Sequence, residues 1–295
     1  MLPKELYSQV QLLHFSTRHK ADDLFAGHYA SAFKGKGMEF SEVREYIEGD
    51  DVRDIDWNVT ARFGHPFVKV FSEERELTVA FLVDISASNL FGTKNRFKRE
   101  VIAEICGVLA FTAIRTNDKV GAVLFGEDVT RFISPRKGAA HVWRLIRDVY
   151  TEPAVRGFTD LAVPLDYANR VLRRHSVVFM ISDFLGTDMD DRFALSMAMA
   201  SRKHDVTAVR VTDPAEWVLP RVGLFRCVDP ESGQVVVADT SNRRLRGRWE
   251  RTVAEQDARI RRVCARAGVD LVDISTGDSV VKKLTEAFRK KERRR

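Results

Sequence analysis

The pattern of apolar and polar positions changes character near Leu77. Beyond it, short apolar runs alternate with longer stretches in which apolar residues recur every three or four positions. Five runs have the length and β-branched content of buried strands: Thr78–Asp84, Val120–Phe125, Val177–Ser182, Val206–Thr212 and Val269–Ile274. Between them, Phe97, Val101, Ile105 and Leu109 recur every fourth residue, and Leu161, Leu165, Ala168 and Leu172 at four, three and four. That is the spacing of amphipathic helices. Strands alternating with helices predict an α/β fold, a mostly parallel sheet with helices on both faces. The stretch "FGEDVTRFI" predicts a tight hairpin that makes Val129–Ile133 an antiparallel edge strand. "RCVDPESGQVVVAD" predicts a second hairpin, inserted near residues 222–240 ahead of a long helix over Asn242–Ala267.

The first quarter of the chain reads differently. Residues 5–33 have a fair helical periodicity, and residues 34–75 are polar, charged and turn-rich. Phe40, Val43, Tyr46 and Ile47 follow a helical spacing, with Gly49 as the C-cap and Asp50 or Asp51 as the next N-cap. "DVRDIDW" then predicts a short helix with Trp57 turned inward. Residues 1–75 hold too few apolar runs for a core of their own. The expected organisation is therefore a segment 1–76 packed on a main domain 77–295.

Length and composition narrow the class. A chain of 295 residues, 44% hydrophobic and 31% charged, has ample material for a core. No apolar run reaches the roughly 18 residues of a membrane span, and the N-terminus lacks a signal-peptide pattern, so a cytoplasmic location is expected. Cys106, Cys227 and Cys264 are scattered and odd in number, which predicts reduced thiols. The net charge of +6 gathers in "NRRLRGRWER" and in the tail "FRKKERRR". Such a tail suits an anionic lipid or nucleic acid, but equally a solvated helix end. No nucleic-acid motif accompanies it, so no specific nucleic-acid partner is expected and membrane contact is confined to this tail.

The candidate chemistry lies at strand ends, where open α/β sheets bind ligands. Three strands finish in aspartate, at Asp84, Asp183 and Asp213. Pro214 follows Asp213, which predicts a plain turn there. After Asp84 come Ser86 and Ser88, at alternate positions. If the chain stays extended, all three side chains project to one side. Hydroxyls and carboxylates are hard oxygen ligands that suit Mg²⁺ or Mn²⁺. Thr159, in "GFTDL" just before a helical pattern, and Asp183 would complete the set. The same residues are also ordinary turn and cap formers.

The set Asp-x-Ser-x-Ser, then Thr, then Asp, in that order, resembles the metal-ion-dependent adhesion site of von Willebrand factor A-type domains. The resemblance implies a von Willebrand factor A-like, Rossmann-like sheet. It implies that Ser86, Ser88 and Thr159 touch the metal directly or through water, and that Asp84 and Asp183 hold coordinating waters. It further implies that the metal takes an Asp or Glu of a partner protein. A longer signature, "GKGMEFSEVREYIEGDDVRDIDWNVTAR" with "VKVFSEERE", "LVDISAS", "ISDF" and "DPAEWVLP", resembles a bacterial family known as a domain of unknown function (number fifty-eight). Asn89 departs from the Met expected there. Genes of that family accompany MoxR-type AAA+ ATPases, so the resemblance implies an adaptor that links such an ATPase to a client protein. Glu39, Glu42, Arg44, Glu45, Asp50, Asp51, Arg53, Asp54 and Asp56 form either a partner surface or an internal salt-bridge network. A non-enzymatic module is expected. The competing reading, a metal-dependent phosphohydrolase, needs a second carboxylate two residues after Asp84, where Ser86 stands.

Overall fold

The computed structural model describes residues 23–33, 39–72, 76–93, 96–185, 191–229 and 233–294. They fall into two compact units, residues 34–76 and the rest of the chain. The larger unit holds α1 (Asp23–Phe33), β3 (Thr78–Asp84), α3 (Lys98–Arg115), β4 (Lys119–Phe125), β5 (Val129–Arg136), α4 (Ala139–Thr151) and α5 (Ala162–Val171). It continues with β6 (Val177–Ser182), α6 (Asp191–Lys203), β7 (Asp205–Thr212), the single turn α7 (Pro214–Trp217) and the hairpin of β8 (Leu224–Val228) and β9 (Val235–Asp239). It ends with α8 (Arg243–Ala267), β10 (Asp270–Ser275) and α9 (Val280–Glu292). The smaller unit holds β1 (Glu39–Glu45), α2 (Trp57–Phe63) and β2 (Phe67–Ser72).

The main sheet has the order β10-β7-β6-β3-β4-β5, parallel throughout except for β5, which runs antiparallel to β4. The expected mostly parallel α/β architecture is thus observed. The two most apolar strands, β3 and β6, lie side by side at its centre. Their side chains alternate between two cores, as a strand buried on both faces requires. Val79, Phe81 and Val83 of β3, with Val177, Phe179 and Ile181 of β6, pack with α1, α3, α4 and α9. Ala80 and Leu82, with Val178 and Met180, pack with α5, α6 and α8 on the other face. Gly121 is required where β5 crosses β4, because a Cβ there would lie 2.7 Å from the Ile133 carbonyl oxygen. The β4–β5 register shifts at the same place. Among the described residues no helix is long and apolar enough to cross a membrane.

The strand and helix boundaries predicted beyond Leu77 match within one residue for β3, β4, β6, β7, β10 and α8. Phe97 breaks the predicted helical face. It is the N-cap of α3 and is 53% exposed. Of the helix predicted over residues 5–33, the part before residue 23 lies outside the described residues. The remainder, α1, belongs to the main core through Phe25, Tyr29 and Phe33.

The helix predicted over residues 40–47 is corrected. This stretch is β1, antiparallel to β2, with a bulge between Phe40 and Glu42. The spacing of Phe40, Val43, Tyr46 and Ile47 fits a helix, but residues 39–45 pair with β2, and that pairing decides for the strand. Gly49 therefore caps no helix and sits at φ +112° in the turn that follows. Asp51 caps a 3-10 turn, Val52–Asp54, accepting from the Arg53 amide. Trp57 opens α2 and is 66% exposed, not turned inward.

Candidate functional site

Parallel pairing of β3 with β6, Val83 beside Ile181, brings Asp84 and Asp183 to the same edge of the sheet. Both side chains are buried. One Asp84 oxygen accepts from the Ser86 amide at 2.8 Å and the other from the Ser182 hydroxyl at 2.6 Å. The chain leaves β3 extended through Ile85 and Ser86 and is held against Val155. The Ala87 amide donates to the Val155 carbonyl, and the Val155 amide to the Ile85 carbonyl. It does not stay extended to Ser88, as the i, i+2, i+4 argument supposes. Ala87–Leu90 is a 3-10 turn. The hydroxyls of Ser86 and Ser88 nevertheless lie 2.9 Å apart.

Thr159 is buried in the segment after Val155. The neighbouring Asp160 amide donates to the Gly126 carbonyl, just past the end of β4, while the Ile85 amide donates to Phe125. Thr159 therefore stands at the same strand ends as the serines. Asp160 accepts from the amides of Ala162 and Val163 and so serves as the side-chain cap of α5.

Asp183 accepts from the Leu185 amide at 3.0 Å with one oxygen. Its other oxygen accepts from the Lys98 ammonium at 2.6 Å. Phe184 between them takes a left-handed φ of +54°, which costs a non-glycine residue roughly 1–3 kcal/mol. Burial of its ring and a hydrogen bond donated by its backbone N–H to the Ser182 hydroxyl oxygen at 3.0 Å hold it there.

Three residues that the motif did not name complete this centre. Lys98, on the first turn of α3, is wholly buried and bridges Asp183 to Glu216, 2.5 Å from its ammonium. Its signal was present in the sequence, since Lys98 shares the apolar phase of Val101, Ile102 and Ile105. Ser182 fixes the Asp84 carboxylate. Asn89, the departure from the family signature, donates to the Asp84 carbonyl at 3.1 Å and to the Ser86 hydroxyl at 3.3 Å. Its amide oxygen is buried without a hydrogen-bond partner.

The electrostatics follow from this packing. Burial, then the charge of Asp183, pushes the Asp84 carboxyl up to about 6, against the bonds from Ser182 and Ser86. Burial works to lower the Lys98 ammonium, but Asp183 and Glu216 outweigh it and hold it above its ordinary value. Glu216 is raised, by burial first, with Lys98 opposing. A pair of buried carboxylates, two converging hydroxyls and an unsatisfied amide oxygen are hard oxygen donors of the kind a divalent cation takes, while the Lys98 ammonium occupies one Asp183 oxygen and opposes such a cation. No group of three His, Cys, Asp or Glu side chains among the described residues forms a metal cluster. Any metal here would depend on the hydroxyls.

Asp213 is more than the plain turn expected. It caps α7 in a capping box with Glu216 and accepts from Thr93 and from the Thr276 hydroxyl at 2.7 Å. In the smaller unit, several candidate partner residues have local roles. Arg44 grips Asp50 through two bonds of 2.7 Å, His65 meets Glu45, and Asp56 caps α2 and faces Lys69. In the basic tail, Lys291 pairs with Asp205 and Arg294 with Asp270. Three open depressions among the described residues, of about 280, 360 and 270 Å³, lie by β5 and α4, along α9, and around His204.

Residues 42–259 match the family model described as "Protein of unknown function DUF58". The uncharacterized protein Rv1480 of Mycobacterium tuberculosis is 32% identical over 276 residues, covering 92% of this chain and 85% of that one. The conserved hypothetical protein BatB from Bacteroides thetaiotaomicron has a TM-score of 0.51 at 15% identity, covering 74% of this chain and 99% of its own. A von Willebrand factor type A structure from Catenulispora acidiphila has a TM-score of 0.43 at 10% identity, covering 77% of this chain and 44% of its own.

Proposed function

We propose that this chain, a member of the DUF58 family built on a mostly parallel α/β sheet, is a non-catalytic interaction module with a von Willebrand factor A-type metal-dependent adhesion site. In this reading Asp84, Ser86, Ser88, Thr159 and Asp183 hold Mg²⁺ or Mn²⁺. The observation that carries it is the buried cluster at the ends of β3 and β6, where the hydroxyls of Ser86 and Ser88 converge and the Asn89 amide oxygen lacks a partner. When bound, the cation supplies an electrophilic position that prefers an anionic oxygen. The chain's own residues do the rest. Ser182 and the Ser86 amide orient Asp84. The Leu185 amide and Lys98 orient Asp183. Neutral hydroxyls next to the cation leave it undercompensated for a partner's Asp or Glu. The resemblance points to a MoxR-type AAA+ ATPase, or a client that such an ATPase remodels, as the partner.

The phosphohydrolase reading is weaker. Both Asp84 oxygens are engaged and buried, and Ser86 occupies the place of the second carboxylate. A pull-down from cell extract in Mg²⁺ and in chelator tests the proposal, together with calorimetry of Mg²⁺ binding. Asp84→Ala is expected to abolish Mg²⁺ binding and the chelator-sensitive partner while leaving the fold intact. Unchanged Mg²⁺ affinity in that variant would refute the site.

A further inference from the structure

Four large apolar side chains are exposed on the elements that carry this polar centre. Leu90, Phe91, Phe97 and Phe158 are each between 41% and 53% exposed. Leu90 and Phe91 close the turn that carries Ser88, and the Phe91 amide donates to the Ser88 carbonyl at 3.2 Å. Phe97 is brought to them because the amide of Lys98, the residue that holds Asp183, donates to the Phe91 carbonyl at 2.9 Å. Phe158 immediately precedes Thr159. Its segment is tied to the serine turn by the bond from the Ala87 amide to the Val155 carbonyl. Each of the four large apolar side chains thus comes from an element that also supplies a polar residue of the centre. Arg156, two residues before Phe158, is exposed.

Exposing aromatic rings to water is unfavourable, and clustered exposed apolar groups mark interaction surfaces. Here they stand around the Ser86 and Ser88 hydroxyls and, in the reading above, a divalent cation that seeks an anion; the Lys98 ammonium is buried and already paired with Asp183 and Glu216. An apolar ring that excludes water strengthens the ionic contact it encloses. A free carboxylate metabolite would leave the ring uncovered, whereas a polypeptide covers ring and centre together.

On the basis of the metal-site reading, we infer that the occupant is a peptide segment in which Asp or Glu is flanked directly by large apolar residues such as Leu, Ile, Phe or Met. The carboxylate meets the centre, and the flanking side chains cover Leu90, Phe91, Phe97 and Phe158.

The test is an array of immobilised linear peptides with central Asp, Glu, Asn or Gln and every pair of flanking residues. It is probed with the full chain in Mg²⁺ and in chelator. Signal is expected for Asp and Glu peptides with apolar flanks, at least tenfold above Ser- or Lys-flanked ones, and is expected to vanish in chelator. The Phe91→Ser and Phe97→Ser variants, altered at exposed positions, should lose about tenfold in signal while calorimetry shows unchanged Mg²⁺ affinity. Acid- and Mg²⁺-dependent binding with no preference at the flanks overturns this inference and leaves the metal-site reading standing. Flank-dependent binding that ignores the acid and the metal overturns both. Absence of any Mg²⁺-dependent signal across the array overturns the inference, which is made for linear segments.

Discussion

At the residue scale, Lys98 decides how the centre behaves without a metal. It is the fixed positive charge between Asp183 and Glu216; Lys98 and Asp183 are buried and Glu216 is largely so. Removing one partner of a buried ionic group costs about 3–5 kcal/mol, because the others keep their charge without compensation. Lys98→Met is therefore expected to lower the unfolding free energy by that amount in chelator. The same change removes a cation beside the proposed metal and frees an Asp183 oxygen, so Mg²⁺ should bind more tightly and restore part of the loss. Urea unfolding with and without Mg²⁺ measures both effects. Weaker Mg²⁺ binding in the variant would mean that Lys98 supports the site and does not compete with it.

His204 provides a pH signature on the opposite end of the sheet. It follows α6, is 2% exposed, and both ring nitrogens are buried without partners. Burial first, then the charges of Lys203 and His175, lowers it from 6.5 to about 4. The unfolded chain thus takes up a proton that the folded chain refuses between those values. The associated stability is complete above about pH 6.5 and is lost as pH falls toward 4, by about 3 kcal/mol in total. His204→Phe is expected to flatten this part of the stability profile between pH 7 and 4.5. An unchanged slope would place the acid sensitivity in other groups.

At the element scale, the loops beyond the strands are tied to one another more than to the sheet. Asp213 at the end of β7 holds the start of α7, Thr93 and Thr276 of the segment after β10. Four hydrogen bonds converge on one buried carboxylate, which is held below the usual range by its bonds to Thr93, Ala215 and Thr276, against the effect of burial. Asp213→Ala is expected to destabilise by roughly 2–4 kcal/mol, more than the ~1 kcal/mol of a simple cap, because it leaves buried donors unpaired. It should also loosen Glu216 and, through it, Lys98. Hydrogen exchange at α7 and at the start of α3 would show whether the two loosen together. Protection retained at α3 would mean that Lys98 is held by Asp183 alone.

At the scale of the whole molecule, the main core begins before the domain that the sequence suggests. Phe25, Tyr29 and Phe33 of α1 pack with Phe288 of α9 and, through Phe33, with Phe179 of β6. Truncating one buried aromatic costs about 3–5 kcal/mol, against a typical total stability of about 5–15 kcal/mol. A fragment 77–295 is therefore expected not to unfold cooperatively, although it holds every strand of the main sheet. A cooperative transition in that fragment, near the midpoint of the full chain, would show that α1 is dispensable. Phe25→Ala in the full chain gives the same information by a smaller step, with an expected loss of about 3 kcal/mol or more.

The sequence by itself determined the sheet and set the candidate residues at its strand ends. A strand buried on both faces must be continuously apolar, and a helix covering it must repeat at three and four. Both are local patterns, so β3, β6 and α5 were legible almost to the residue. The motif residues were legible for the same reason, since Asp84, Ser86 and Ser88 are neighbours in the chain and Asp183 ends a strand of evident character. Tertiary structure decided what these residues meet. Ser182 reaches Asp84 only because β6 pairs with β3 in parallel, in register. Lys98 reaches Asp183 across 85 residues, and no pattern short of the folded sheet puts them together. Residues 39–45 became a strand because β2 offered a partner, where their own spacing fitted a helix. Periodicity is a property of one segment and can be read there, whereas a hydrogen bond between distant segments depends on the register of everything packed between them.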